Sequence, residues 1–299
     1  MRDSFIGLAL AAFASCCFAA GTIIQAIETR QVGREHALRA SLLVQLAKRG
    51  RWLAGVGLAL AAAGLQLWAL SLAPVALVQP ADAFGFVLLL AAGARVLHEP
   101  VGLRQLAATA AILVGVLAIA FAHIEHAGTH AGAAALALAL GVTALLAAAP
   151  FALRRGGHAR PWLMIVGAGA AFALGAFGLR LVSDALGTGD WVAVAGFAAI
   201  AGSGSLLGLG SEMSALQVRP VAAVAPVIFA LEMLIPMLLA RLVGGERWPT
   251  DLHHASLLLG GVALTLGGTT ALLRSGAVGV VLGAGHQADA PEGGPDPRP

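Results

Sequence analysis

The chain has 299 residues, of which 59% are hydrophobic and 11% charged, with a mean hydropathy of +0.88. Such a composition cannot present a soluble surface, and a formal charge of +3 concentrated in particular loops argues for membrane orientation and against a nucleic-acid partner. Cys16 and Cys17, the only cysteines, are neighbours inside an apolar run, which excludes a disulfide framework or a zinc site.

Apolar runs of about 20 residues, enough to cross a bilayer core as a helix, recur from end to end. The first is predicted over residues 4–26, and it is longer than a signal-peptide core, which argues against cleavage. Residues 27–51 follow with Arg30, Arg34, Arg39, Lys48, Arg49 and Arg51 against Glu28 and Glu35, and are expected to form a partly helical cytoplasmic loop. Further spans are predicted over 52–72, 75–97, 105–124, 132–153, 162–183, 191–214, 221–243 and 254–273, making nine. With the basic loop inside, the N-terminus lies outside, the loop holding Arg154, Arg155 and Arg160 also falls inside, and those holding His123–His130 and Asp184–Asp190 fall outside. Residues 275–285 are too short to span, and 286–299, rich in Pro, Gly and acids, read as a disordered cytoplasmic tail.

A 146-residue shift returns part of the chain onto itself. Gly64, Pro74, Pro80, Ala94, Arg95, Gly115 and Val116 fall on Gly210, Pro220, Pro226, Ala240, Arg241, Gly261 and Val262 without a gap. Small apolar matches are cheap in this composition, but two prolines and an arginine in register argue for a duplicated unit. Phe18-Ala-Ala-Gly21 echoes Phe172-Ala-Leu-Gly175 more weakly. Equivalent helices lie five spans apart, so the copies cross the membrane in opposite senses, as in secondary transporters built from inverted repeats. The expected organisation is a first repeat over 1–131, a linking span and loop over 132–161, a second repeat over 162–273 and a tail over 274–299.

The layout of a proline-broken helix, an apolar helix, a Glu-containing turn and a Gly-rich apolar helix resembles the EamA-type drug/metabolite transporter superfamily. The residues carrying it are His98-Glu99-Pro100 with Gly115, and Gly244-Gly245-Glu246-Arg247 with Gly260-Gly261. The Ala73-Pro74-Val75-Ala76-Leu77-Val78-Gln79-Pro80 run and the basic loop after the first span resemble the NIPA-like magnesium transporter branch. The resemblance implies an all-α membrane bundle of two inverted repeats that moves a small metabolite or cation by alternating access, with magnesium as the narrower alternative. Ten spans are usual in the superfamily, and this chain lacks a full tenth, so dimerisation through terminal helices does not carry over and a homodimer is left open. A non-transporting scaffold is the reading from a different class, since fold alone does not fix function.

Acids inside a bilayer are costly, and therefore functional candidates. Glu232, in Phe229-Ala-Leu-Glu232-Met-Leu-Ile-Pro236, lies near the middle of the eighth span. Asp82, with Gln79, follows the helix break at Pro80, where free carbonyls can face a cavity; N-capping of the helix after the break is its plainer role. Gln66 and Glu212 occupy equivalent repeat positions and read as rim residues or merely solvated ones. Pro74, Pro80, Pro220 and Pro226 are the expected hinges. His123, His126 and His130 share one external loop, but magnesium prefers oxygen ligands and a zinc site needs converging groups, so a bound metal is left open. No Walker loop, Ser-His-Asp set or HExxH pattern is present, so neither an enzyme nor a cofactor is expected. The partners implied are membrane lipids and a small-molecule or cation substrate in the plasma membrane.

Overall fold

The computed structural model describes residues 2–72, 81–99, 101–122, 125–126, 132–154, 160–243 and 246–288. Pro74, Gln79, Pro80, His123 and His130 lie outside the described residues, as does the side chain of Asp82. Among the described residues ten α-helices carry the fold: α1 (Arg2–Arg30), α2 (Ala40–Ala47), α3 (Gly50–Leu72), α4 (Asp82–Val96), α5 (Leu103–Ala120), α6 (Ala133–Ala152), α7 (Pro161–Thr188), α8 (Trp191–Leu216), α9 (Val221–Leu242) and α10 (Leu252–Ala288). Eight of them are long and apolar enough to cross a membrane, and α4, at 15 residues, is shorter. The chain is a multi-pass helical membrane protein. Leu60, Leu67, Trp68, Leu103, Leu145 and Val192 stand exposed around the outside, where hydrocarbon is the natural solvent.

The expected partly helical first loop is a 3-10 turn at Arg34–His36 followed by α2, whose Leu42 and Leu46 are fully buried. The expected disordered tail is corrected over residues 275–288, where α10 continues without a break to Ala288. No proline intervenes before Pro291, and extending an existing helix is far cheaper than starting one. The break expected at Pro226 is likewise absent. Pro220 sits at the N-cap of α9, where a missing N–H costs nothing, and the helix then passes through Pro226 and Pro236.

Packing relies on close backbone approach through small residues, as expected where lipid removes the hydrophobic drive between helices. α1 packs on α3 and α4, α7 packs on α8 and α9, and α5 packs on α10. A Cβ placed on Gly21 would meet Gly55 O at 2.8 Å and Ala59 N at 3.4 Å. One placed on Gly175 would meet Ala201 O at 3.3 Å and Ser205 N at 3.5 Å, on residues 146 positions after Gly55 and Ala59. Similarly Gly85 approaches Ser15 O, and Leu231, its counterpart at the same offset, presses its Cβ on Gly169. Gly115 and Gly261, themselves 146 residues apart, face each other: a Cβ on either would lie 2.6 Å from the other's carbonyl oxygen. Ser203 and Ser205 donate to carbonyls of their own helix, and Gly204 between them meets Gly175, so that cluster serves packing.

Candidate functional site

α1, α3, α4, α7 and α9 surround a cavity of about 430 Å³. Its walls are mostly apolar: Phe18, Phe86, Leu89, Phe229 and Met233, with alanines from α1, α3 and α7. Phe86 and Phe229 meet edge to face at 5.1 Å, so α4 and α9 close on one another at this wall. Two polar side chains that the sequence singles out, Glu232 of α9 and Gln66 of α3, line it together, with Ser15 of α1. Glu232 borders this space, which gives a carboxylate inside an otherwise apolar helix somewhere to be other than hydrocarbon. Glu212, the repeat counterpart of Gln66, is half-buried on α8 and is not among the lining residues. Asp82 begins α4, whose Gly85, Phe86 and Leu89 contribute to the wall; the N-cap position is Ala81.

At one end the bundle is closed by a polar clamp that sequence reasoning missed. Glu99 follows His98, whose φ of 52° turns the chain sharply after α4, so that the Glu99 N–H donates to Gly93 O at 3.0 Å. The absence of a side chain at Gly93 leaves room for the carboxylate, because a Cβ there would stand 3.0 Å from Glu99 Oε2. Only 8% exposed, Glu99 accepts from the backbone N–H groups of Val221 (2.9 Å) and Ala222 (3.3 Å) and from Arg30 Nη2. It therefore satisfies the first orphan donors of α9 and complements that helix's positive end. Arg30 in turn donates through Nε to Leu216 O at 3.1 Å and through Nη2 to Arg219 O at 3.3 Å. One ion pair thus joins the ends of α1, α4 and α8 to the start of α9.

Beneath the clamp lies a second polar layer. Gln217 Nε2 donates to Thr29 O and Val32 O, Ser214 Oγ accepts from Leu38 N–H at 2.8 Å, and Met213 S accepts from Thr29 Oγ1 at 3.2 Å and Trp52 Nε1 at 3.4 Å. Glu28, buried at the end of α1, holds Arg49 at 3.1 Å and Arg51 at 3.6 Å. Arg154 Nη1 donates to Leu38 O at 2.8 Å, so the two basic loops sit at the same end. Arg219, at the same place, is partly buried, and burial pushes its guanidinium below the usual arginine range.

At the opposite end Glu125–His126 pairs antiparallel with Glu246–Arg247, tying the α5–α6 and α9–α10 connections. Asp251 caps α10: Oδ1 accepts from the His254 N–H at 2.9 Å and from its Nδ1 at 2.8 Å. The backbone hydrogen bond to His254 holds this carboxyl below its ordinary range. Among the described residues no group of three or more His, Cys, Asp or Glu could hold a metal ion.

Glu99 carried a motif role in the sequence, but Arg30 was legible only as part of a basic loop. The signal available was the pairing of a buried-loop glutamate with an arginine at a span end, and the partners lie 69 residues apart. No family model, no curated protein and no solved structure matches the chain.

Proposed function

We propose that this protein is a secondary transporter of the drug/metabolite type, built from two inverted repeats and working by alternating access around the Glu232 cavity. The carrying observation is that cavity: a space of about 430 Å³ between helices of both halves, apolar except for Glu232, Gln66 and Ser15. Its size falls in the range of small-molecule sites, and its chemistry suits a compact apolar molecule bearing one positive charge, which Glu232 neutralises. The repeated contacts at Gly21 and Gly175, and the facing of Gly115 on Gly261, support the duplication and a pseudo-twofold axis between α5 and α10. The Arg30–Glu99 clamp closes the end that carries the basic loops, which the positive-inside rule assigns to the cytoplasm, leaving the N-terminus outside the plasma membrane. Alternating access then means breaking this clamp while the halves rock about the facing glycines. Magnesium is less well served, because a single carboxylate lines the cavity among the described residues and Mg²⁺ shares it with apolar walls.

The test is flux in proteoliposomes, wild type beside Glu232→Gln and Asp82→Asn, with pH and Mg²⁺ on each side varied independently and a panel of small organic cations supplied. Saturable uptake of a cation that Glu232→Gln abolishes, in a protein that still melts normally, is the expected result. No saturable flux of cation, proton or Mg²⁺ from the folded wild type refutes transport and leaves a scaffold.

A further inference from the structure

A separate pocket of about 320 Å³ opens at the clamped end, lined by Arg30, Val32, Arg34, Glu99, Gln217, Val218, Arg219 and Pro220. Its charges do not cancel. Glu99 takes the charge of Arg30 and the free amides of α9, which leaves Arg34 and Arg219 as surplus. Neither of these guanidinium groups has an ion-pair partner among the described residues. Glu35, next in sequence to Arg34, lies 3.7 Å from His36 and does not line the pocket, and Glu28 is held by Arg49 and Arg51. Arg219 is also partly desolvated, a costly state for a cation without a counter-charge.

A second observation comes from Gln217, only 6% exposed. Its Nε2 donates to Thr29 O and Val32 O, which fixes the orientation of the amide, and its Oε1 is buried without a hydrogen-bond partner among the described residues. The pocket therefore has two unspent positive charges, beside a residue whose buried amide oxygen has no hydrogen-bond partner among the described residues.

We propose that this pocket is an anion site that takes a phosphate-type dianion. The planar fork of each guanidinium matches a phosphate edge, and the net pocket charge matches a phosphate at neutral pH. The same chemistry is offered by a free phosphate and by the phosphomonoester head of a phosphatidic-acid lipid at the membrane surface. The site is distinct from the Glu232 cavity, with which it shares no lining residue, so it does not depend on the transport reading.

The test uses the full chain in two arms. Inorganic phosphate is titrated calorimetrically into protein held in phosphatidylcholine nanodiscs, and lipid retention is read by native mass spectrometry from nanodiscs containing phosphatidic acid beside phosphatidylcholine. Saturable binding in the first arm identifies the free anion, and selective retention in the second identifies the lipid head. In either arm Arg219→Gln and Arg34→Gln are each expected to weaken binding on the order of tenfold or more. Arg104→Gln, an arginine outside the pocket, should leave it unchanged. Arg34 is exposed, so its substitution remains informative even if Arg219→Gln disturbs folding. No binding in both arms, or binding that neither pocket substitution weakens, overturns the proposal.

Discussion

Replacing Glu99 by Gln tests whether the clamp is a structural joint. Glu99 accepts from Arg30 and from two backbone N–H groups at the start of α9, and its side chain is 5% exposed. Breaking a fully buried ion pair from one side costs about 3–5 kcal/mol. Arg30, with a side chain 28% exposed and two carbonyls as further partners, recovers part of that. The Gln amide still offers one acceptor to the Val221 N–H. A net loss of about 2–4 kcal/mol follows, which at a few degrees per kcal/mol is a fall of roughly 5–15 °C in apparent melting temperature. Buried Trp52 gives a fluorescence readout of unfolding in detergent. The single changes Glu99→Gln and Arg30→Gln and their combination close a double-mutant cycle, with a coupling of about 1–3 kcal/mol expected between them. Additivity within about 0.5 kcal/mol would refute a joint that works through this pair.

Other substitutions follow from the same geometry. Gly115→Val places a side chain against Gly261 O and Thr265, and is expected to destabilise by about 1–3 kcal/mol, whereas Gly141→Ala, with nothing within 4 Å, should be neutral or stabilising in the same melting assay. Ala63→Trp fills the cavity from α3 and should abolish cation uptake while leaving the melt near wild type; retained uptake would detach transport from this space. For Asp251, the sign follows from its depressed pKa: the cap stabilises the first turn of α10 above the ordinary carboxylate range, and that contribution is lost as pH falls through the lower, folded value. A carboxyl carbon-13 titration of Asp251 should accordingly have its midpoint below that of an ordinary aspartate, and Asp251→Ala should remove the pH dependence of amide protection at His254.

What was legible in the sequence is what local pattern controls. Span positions follow from apolar runs near 20 residues, and α3 and α5–α9 begin and end within a few residues of the expected limits. The 146-residue recurrence was readable because Pro74, Pro80 and Arg95 return as Pro220, Pro226 and Arg241 in a background where such residues are scarce. Glu232 and Gln66 could be singled out because polar groups in spans are costly, and both reach the cavity. Glu212, chosen by the same logic from a matching position, does not line it, since the rule detects cost and not direction. The continuation of α10 beyond Arg274 was missed because span length measures the membrane and not the helix. Arg30, Gln217 and Met213 were missed because their partners are 69 to 188 residues away, and nothing in a local window announces them.

The two halves agree where backbones touch and differ where chemistry is carried. Gly55 and Ala201, and Gly115 and Gly261, lie 146 residues apart, and Gly21 and Gly175, 154 apart, pack on Gly55 and Ala201 respectively; all are small, because a Cβ added to any of these glycines would stand 2.6–3.3 Å from a neighbouring backbone atom. At the same 146-residue offset the counterpart of Glu232 is Phe86, and both line the one cavity; that of Glu99 is Gly245 and that of Arg219 is Ala73. If the charged groups served only to solvate helix ends, both copies would be expected to carry them at the ends that face water. Glu232 instead occurs once, in a cavity lined by helices of both halves, and Glu99 acts across the junction between them, while the nearest acid of the other copy, Glu246, stands one position beyond the matching one. That distribution fits a duplicated scaffold whose shape is kept by its contacts, with its chemistry free to diverge at the interface. It also makes a specific demand on the Phe86 position: Phe86→Glu should be better tolerated in folding than Gly115→Val, because Phe86 borders space and Gly115 borders backbone, yet it should alter cation uptake as strongly as Glu232→Gln by adding a second charge to the same cavity. A Phe86→Glu protein that melts like wild type and transports like wild type would refute the assignment of this cavity as the place where charge decides what is bound.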